Sequence, residues 1–325
     1  MSKTIKRIGV LTSGGDAPGM NAAIRAVVRT CLYRGIECIG IRRGYNGLIS
    51  GDIMKMDAGT VNHIINRGGT ILYTARSDEF RTPEGQAKAA GTCKLLGLDG
   101  IVAIGGDGTF RGAEALSKHG ISVVGIPATI DNDIVCTDYT LGFDTATNTA
   151  VDAIDRLRDT MQSHERCSVV EVMGRNAGHL ALYVGLAVGA TAVLVPEIPI
   201  DFERDVIEKI RSARLTGRTH YMIVVAEGAG SAVEIGEKIH TELALDPRVT
   251  ILGHIQRGGT PTARDRTMAT RMGYAAVEAL ADGKTNRVIC AQHGTMIDVD
   301  IEEGLRMKKG LNLQQTKVLD AMTGL

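Results

Sequence analysis

Short apolar runs recur along the chain, with helical patterns between them. Runs at residues 8–11, 38–41, 101–104 and 123–126 predict strands in the first half, and runs at 168–172, 192–195, 222–226 and 249–252 repeat the scheme in the second. They are short and continuous, the pattern of strands covered on both faces. Helical patterns lie between them, at 22–33, 113–118, 146–162 and 204–215. Strands alternating with helices imply crossover connections, hence parallel sheets flanked by helices. Two such sets predict two α/β domains with mostly parallel sheets, the active site in the cleft between them. The turn at 253–259 and a helix over 264–281 return the chain to the first domain.

Residues 180–196 carry no charge and superficially resemble a membrane span. The stretch is shorter than the ~20 apolar residues a spanning helix needs. Gly185 and Gly189 interrupt it, and 191–195 reads as a separate strand. It is predicted to be buried core, and no membrane partner is expected.

Composition narrows the function classes without choosing one. A chain of 325 residues is long enough for two ordinary domains. Lys+Arg and Asp+Glu both total 37, so no long-range field draws in nucleic acid, and any pull on an anionic substrate must come from clustered arginines. The six cysteines (Cys31, Cys38, Cys93, Cys136, Cys167, Cys290) show no C-x-x-C spacing, which argues against a zinc site or a disulfide scaffold. Residues 1–7 lack the apolar core of a signal peptide. Reduced thiols in a cytoplasmic protein are the expectation.

The chemistry is concentrated in three turns. The first strand runs into Gly14-Gly15-Asp16-Ala17-Pro18-Gly19, followed by a helix. Glycine amides and a helix N-terminus suit phosphate, although a plain strand-to-helix turn reads the same way. No G-x-x-x-x-G-K-[ST] string exists, and the glycine spacing is wrong for a dinucleotide fingerprint, so a P-loop is excluded and a Rossmann dehydrogenase disfavoured. The strings Gly105-Gly106-Asp107-Gly108-Thr109 and Thr129-Ile130-Asp131-Asn132-Asp133 also follow strands. In an open parallel sheet such turns emerge at the carboxyl edge, where ligands bind. Asp107, flanked by glycines, can reach a magnesium ion, which one or two carboxylates and substrate phosphates ordinarily hold. Asp131 and Asp133 lie two apart, so one can accept the proton of an attacking hydroxyl while the other orients a metal or its waters. A capping role stays open for Asp133. Together the turns point to phosphoryl transfer, in which positioning and charge stabilisation carry most of the rate. Arginine forks can grip phosphate oxygens, though each taken singly reads equally as a solvated or ion-paired residue. His254 likewise reads as a ligand or as a satisfied core histidine.

Taken in order, residues 14–21, 105–109, 127–133, 154–160, 170–175 and 253–259 resemble the bacterial ATP-dependent 6-phosphofructokinase family over about the whole chain, with 306–325 the least informative part. Gly-Gly-Asp-Gly alone also occurs in NAD kinases and lipid kinases; the ordered set is far more specific. The resemblance implies a cytoplasmic enzyme making fructose 1,6-bisphosphate and ADP from fructose 6-phosphate and ATP, the committed step of glycolysis. It places ATP against Gly15, Tyr45, Arg76, Ser77, Gly106, Asp107, Gly108, Thr109 and Gly112, with Asp107 on Mg2+. Asp131 matches the base for the sugar's 1-hydroxyl, with Thr129 and Arg175 beside the transferring group and Asp133 in the same turn. Met173, Gly174, Glu227, Arg248, His254 and Arg257 match the sugar-phosphate site, joined by Arg166. Arg166 and Arg248 would come from a neighbouring subunit of a homotetramer. The implied fold is two Rossmann-like three-layer α/β domains, 1–141 plus 256–306 for ATP and 142–255 plus 307–325 for fructose 6-phosphate.

Pyrophosphate-using relatives commonly carry an aspartate at the position of Gly108 and a lysine at that of Ala128. Small residues there, and Gly112 one helical turn on, are expected to leave room for a nucleotide. A pyrophosphate-dependent enzyme is the alternative, and a non-catalytic nucleotide or sugar-phosphate sensor is another. Asp107, Asp131, Asp133 and Arg175 argue against the sensor, because binding alone needs no general base. An NAD kinase does not call for the 131–133 turn or the 253–259 arginine loop. Arg25, Arg29, Arg158, Gly189, Gly217, Arg218 and His220 match an effector site for ADP and phosphoenolpyruvate, Arg25 and Arg29 sharing a helix face. A family arginine is replaced there by Ala58, an acidic residue by Thr191, and lysines by Thr216 and Thr219. The loss of these charges predicts a blunted effector response.

Overall fold

The structure, a computed structural model, describes residues 5–307 and 309–323, in two compact units. The first holds residues up to 130, 134–144 and 257–309; the second holds 131–133, 145–256 and those from 310 on. Strand β1 (Arg7–Thr12) leads to helix α1 (Met20–Tyr33), β2 (Glu37–Ile41), α2 (Gly44–Ser50), β3 (Ile53–Met56), α3 (Pro83–Leu95), β4 (Gly100–Gly105), α4 (Asp107–Lys118) and β5 (Val123–Pro127). Helix α5 (Phe143–His164) precedes β6 (Cys167–Val172), α6 (His179–Val188), β7 (Ala192–Leu194), α7 (Glu208–Leu215), β8 (Tyr221–Ala226), α8 (Ala232–Leu243) and β9 (Arg248–Ile251). The return path is α9 (Ala263–Ala281), β10 (Arg287–Gln292), β11 (Thr295–Asp300) and α10 (Ile301–Arg306); α11 (Leu313–Thr323) follows.

The first sheet runs β11-β10-β5-β4-β1-β2-β3, parallel except for its two edge strands. Every residue of β4 and β5 is buried, which is why they read as unbroken apolar runs. From β1 the chain builds outward through β2 and β3, and from β4 it builds the other way. Strand order therefore reverses between β1 and β4, and the connections leaving their carboxyl ends diverge, opening a crevice where ligands bind in such sheets. The second sheet, β7-β8-β6-β9, is wholly parallel. Its strand β8 is buried throughout, whereas Val249 and Ile251 of edge strand β9 are exposed.

Several elements differ from the periodicity. Strands β3, β10 and β11 were not expected. The two edge strands are half-exposed and mix polar with apolar residues, so they lack the run that marks a central strand. The expected 113–118 helix begins earlier, as α4, which puts Asp107 in its first turn. The 204–215 helix opens as a π-helical stretch, Glu203–Ile207, before α7. Within residues 180–196 lie most of helix α6, whose Tyr183 is exposed, and the strand β7, and no helix among the described residues is long and apolar enough to cross a membrane. All six cysteines are buried and outside any disulfide. Burial pushes the Cys93 and Cys167 thiols up to about 12.

Candidate active site

The crevice of the first sheet is built from backbone. Thr109 Oγ1 donates to the Ser13 carbonyl at 3.0 Å, and the Ser13 amide donates to the Ile104 carbonyl at 3.0 Å. The turns after β1 and β4 are thereby stitched together. A Cβ on Gly105 would lie 2.3 Å from Thr109 Oγ1 and 2.4 Å from the Ser13 carbonyl oxygen, so only glycine fits. Asp107 is exposed at the start of α4, and a Cβ on Gly108 would meet no atom within 4 Å beyond its own helix and chain neighbours. A helix N-terminus beside open space, with its partial positive charge, suits an anionic phosphate chain. Arg257 Nη1 donates to the Asp16 carbonyl at 3.2 Å, and a Cβ on Gly15 would meet that nitrogen at 2.5 Å. The guanidinium expected at a sugar phosphate thus rests on the first glycine turn. Arg76 is exposed, while Ser77 Oγ accepts from the Phe80 amide at 3.2 Å.

Tyr45 is only 4% exposed. Its ring stacks on Phe80, centroids 4.1 Å apart, and its hydroxyl donates to the Thr109 carbonyl at 2.5 Å. Burial holds that hydroxyl above its ordinary pKa, so it stays a donor. A Cβ on Gly112 would come within 2.4 Å of the Tyr45 ring. The room expected for a nucleotide at Gly112 is therefore filled by Tyr45, which supports the first turn of α4 from behind. Local pattern could not reveal this, because residues 45, 80 and 112 come from three separate elements.

The acidic turn follows β5. Asp131 is 6% exposed and Asp133 is half-buried; Asn132 between them adopts φ 49°, the left-handed region that Asn tolerates. The Ala128 amide donates to the Gly105 carbonyl at 3.0 Å, and Thr129 lies beside Gly106. In the second unit, the turn after β6 holds Met173, Gly174 and Arg175. Gly174 has φ 143°, and a Cβ there would meet the Ala177 carbonyl oxygen at 2.4 Å. Arg175 is exposed and left-handed at φ 58°, a strained state for arginine. Glu227, at the end of β8, holds this turn: its Oε1 accepts from the amides of Gly174 at 3.2 Å and Arg175 at 2.6 Å. Gln256, which the sequence did not single out, is fully buried and accepts from the Met173 amide at 2.8 Å. Its only sequence signal is its place between His254 and Arg257. His254 is exposed, which removes the core-histidine reading; Arg248 is exposed and ion-paired with Asp246 at 3.0 Å, and Arg166 is half-buried.

The chain matches the family described as Phosphofructokinase over residues 7–280. It belongs to the phosphofructokinase family. It is 54% identical over 308 residues to the ATP-dependent 6-phosphofructokinase of Clostridium botulinum (strain Hall), covering 95% of this chain and 96% of that relative. It is 55% identical over 308 residues to ATP-dependent 6-phosphofructokinase 1 of Clostridium perfringens (strain 13), with the same coverage of 95% and 96%. Phosphofructokinase from Saccharomyces cerevisiae superposes with a TM-score of 0.87 at 36% identity, covering 98% of this chain. This chain spans 47% of that yeast chain, about half its length.

The second unit also contains a cavity of about 200 Å3 lined by Arg158, Met161, Gly189, Thr191, Arg218, His220 and Met222. Four of the expected effector residues, Arg158, Gly189, Arg218 and His220, come together there, with Gly217 next to Arg218 in the chain. Arg25 and Arg29 lie on α1 of the first unit, where Arg29 bonds Asn62 at 3.0 Å. Arg158 donates to the Val188 carbonyl, and Thr191 Oγ1 accepts from the Met222 amide at 3.1 Å. Burial first, then the charges of Arg158 and Arg218, lower the pKa of His220. A depressed histidine pKa means the unfolded chain takes the proton first, so stability is retained above the ordinary value near ~6.5 and lost as pH falls. His220→Asn is expected to flatten the fall of Tm between pH ~7 and ~5, within the range where free histidine titrates. An unchanged slope would show that His220 does not carry it.

Proposed function

We propose that this chain transfers the γ-phosphoryl group of ATP to the 1-hydroxyl of D-fructose 6-phosphate, forming fructose 1,6-bisphosphate and ADP in the cytoplasm, the committed step of glycolysis. The observation that carries this reading is the 54% identity, over 95% of this chain, to a relative of that name. The geometry supports it. The stitched turns at 13–15 and 105–109 place two glycine-rich loops and the start of α4 side by side for a phosphate chain, and the open space above Gly108 admits a nucleotide's α-phosphate. Gly106, Gly108 and Thr109 would line the donor, with Gly15, Arg76 and Ser77 around it.

Kinases of this kind need a divalent metal, and Mg2+ is the ion proposed. The donor set fits it: Asp107 is one exposed carboxylate at the start of α4, beside the open space above Gly108. Magnesium is ordinarily held by one or two carboxylates together with substrate phosphates, which it helps to neutralise. Asp107 would hold it. Asp131 would accept the proton of the 1-hydroxyl as that oxygen bonds to phosphorus and the bond to ADP breaks. Thr129 and Arg175 would steady the transferring group, and Asp133 the turn. Met173, Gly174, Glu227, His254 and Arg257 would bind the sugar phosphate. Arg166 and Arg248 would serve a neighbouring subunit of a homotetramer; exposed Val249 and Ile251 on β9, with Ile255 beyond it, provide apolar surface for such contact.

Arg257→Ala is expected to raise KM for fructose 6-phosphate by ~10-fold or more with kcat little changed, because a charge-assisted bond to the non-reacting phosphate acts equally before and during reaction. A rise confined to the KM for ATP would reassign Arg257 to the Gly15–Asp16 turn it touches. In the cavity of the second unit, Thr191 supplies no carboxylate, and a weak response to ADP and phosphoenolpyruvate is proposed. A sigmoidal fructose 6-phosphate curve that ADP shifts strongly leftward would overturn that. The function is tested by initial rates of fructose 1,6-bisphosphate formation with Mg2+ and either ATP or pyrophosphate. Turnover with ATP alone is expected. Turnover with pyrophosphate would overturn the donor, and turnover with neither would overturn the reaction.

A further inference from the structure

Asp265, in the first turn of α9, is fully buried, yet none of the roles above uses it. Among its bonds, Oδ1 accepts from the Tyr139 hydroxyl at 2.5 Å and from the Gly142 amide at 2.7 Å. Its own amide donates to Oγ1 of Thr262, the residue that caps the helix. Tyr139 is itself buried at 3% exposure, with the Arg264 guanidinium 4.8 Å from its ring centre. Burial, and then Asp265, hold the Tyr139 hydroxyl above its ordinary pKa, so it remains a donor.

What Asp265 holds is the returning leg of the acidic loop. Thr140 Oγ1 donates to the Thr129 carbonyl at 2.6 Å, and the Leu141 amide donates to the Pro127 carbonyl at 3.0 Å. Ala128 and Leu141 also form a parallel bridge. The path therefore runs from the carboxylate through Tyr139 and Gly142 to Thr140 and Leu141, then across to Pro127 and Thr129. Asp131 follows two residues on. At its other side the clasp abuts the first glycine turn: a Cβ on Gly142 would lie 2.7 Å from Ala17 Cβ, and one on Gly19 would lie 3.6 Å from Asp265 Cβ. A buried carboxylate is costly to desolvate and contributes little by packing alone. Here it receives directional bonds from both ends of one loop segment, an arrangement that fixes backbone position.

We propose that Asp265, through Tyr139 and Gly142, is a positioning residue for the loop that presents Asp131. The proposal rests on the function stated above. Misplacing a reacting group by about 1 Å can cost ~10²-fold in rate. Tyr139→Phe keeps the buried ring and removes one bond of the clasp, and Asp265→Asn keeps an acceptor oxygen and removes the charge. In native enzyme assayed with Mg-ATP and fructose 6-phosphate, each is expected to lower kcat by ~10-fold or more, with both KM values within ~3-fold of wild type. Placed in the Asp131→Asn background, Tyr139→Phe is expected to cost less than ~2-fold further, because the positioned group is already gone. A folded Tyr139→Phe enzyme with wild-type kcat, whatever its Tm, would overturn the proposal. So would an equal loss in both backgrounds, which marks a merely structural contact. If Asp265→Asn fails to fold, Tyr139→Phe decides. Turnover retained by Asp131→Asn alone would overturn the general base, and this proposal with it; which single variant keeps its rate tells the two failures apart.

Discussion

Asp131→Asn is expected to bind ATP and fructose 6-phosphate almost as the parent does while turning over at least ~10²-fold more slowly, the usual cost of losing a general base. The amide matches the carboxylate in size, so a site that is 6% exposed keeps its packing. It cannot accept a proton at neutral pH. The loss should therefore fall on kcat, with KM nearly unchanged, the signature of an interaction needed only in the transition state. Steady-state rates across both substrates check this, and a kcat close to the parent's would remove Asp131 from the mechanism.

Gly105→Ala is expected to lower stability by about 2 kcal/mol or more and to abolish tight nucleotide binding, as overpacking in a closely fitted site does. The added methyl would sit 2.4 Å from the Ser13 carbonyl oxygen, which is backbone and cannot swing aside. Relief requires β4 and the turn after β1 to part, breaking the Thr109–Ser13 bond that aligns the amides. Urea unfolding reads the stability loss, and calorimetric titration with Mg-ATP reads the binding. An alanine variant with unchanged midpoint and unchanged affinity would mean that the turns give way freely, contrary to this account.

The fold class was legible because its central strands are. The buried run over β4 and the one over β8 have no exposed position to break the pattern, and the α/β, mostly parallel reading follows from them. The edges were not legible. Strand β11 is half-exposed and carries Asp298 and Asp300, so it exists by pairing with β10 rather than by its own composition. The same division holds for the site. Glycine-rich turns announce themselves locally, and Asp107 and Asp131 stand in strings that can be read directly. The supports behind them cannot, since Tyr45 reaches Thr109 and Tyr139 reaches Asp265 across 64 and 126 positions of sequence. Gln256 belongs with these: a buried amide that holds the Met173 turn has no signature of its own.

The burial of every cysteine has a practical consequence. A thiol reagent cannot reach a sulfur in the closed protein, and the raised pKa of Cys93 and Cys167 leaves almost no thiolate to react at neutral pH. Labelling must wait for a piece of the protein to open, so its rate measures opening rather than thiol chemistry. Cys167 is the one cysteine of the second unit, and the other five belong to the first. Mapping which peptide gains the label would therefore time the opening of each unit separately. Repeating it with Mg-ATP and then with fructose 6-phosphate would show which unit each ligand locks shut.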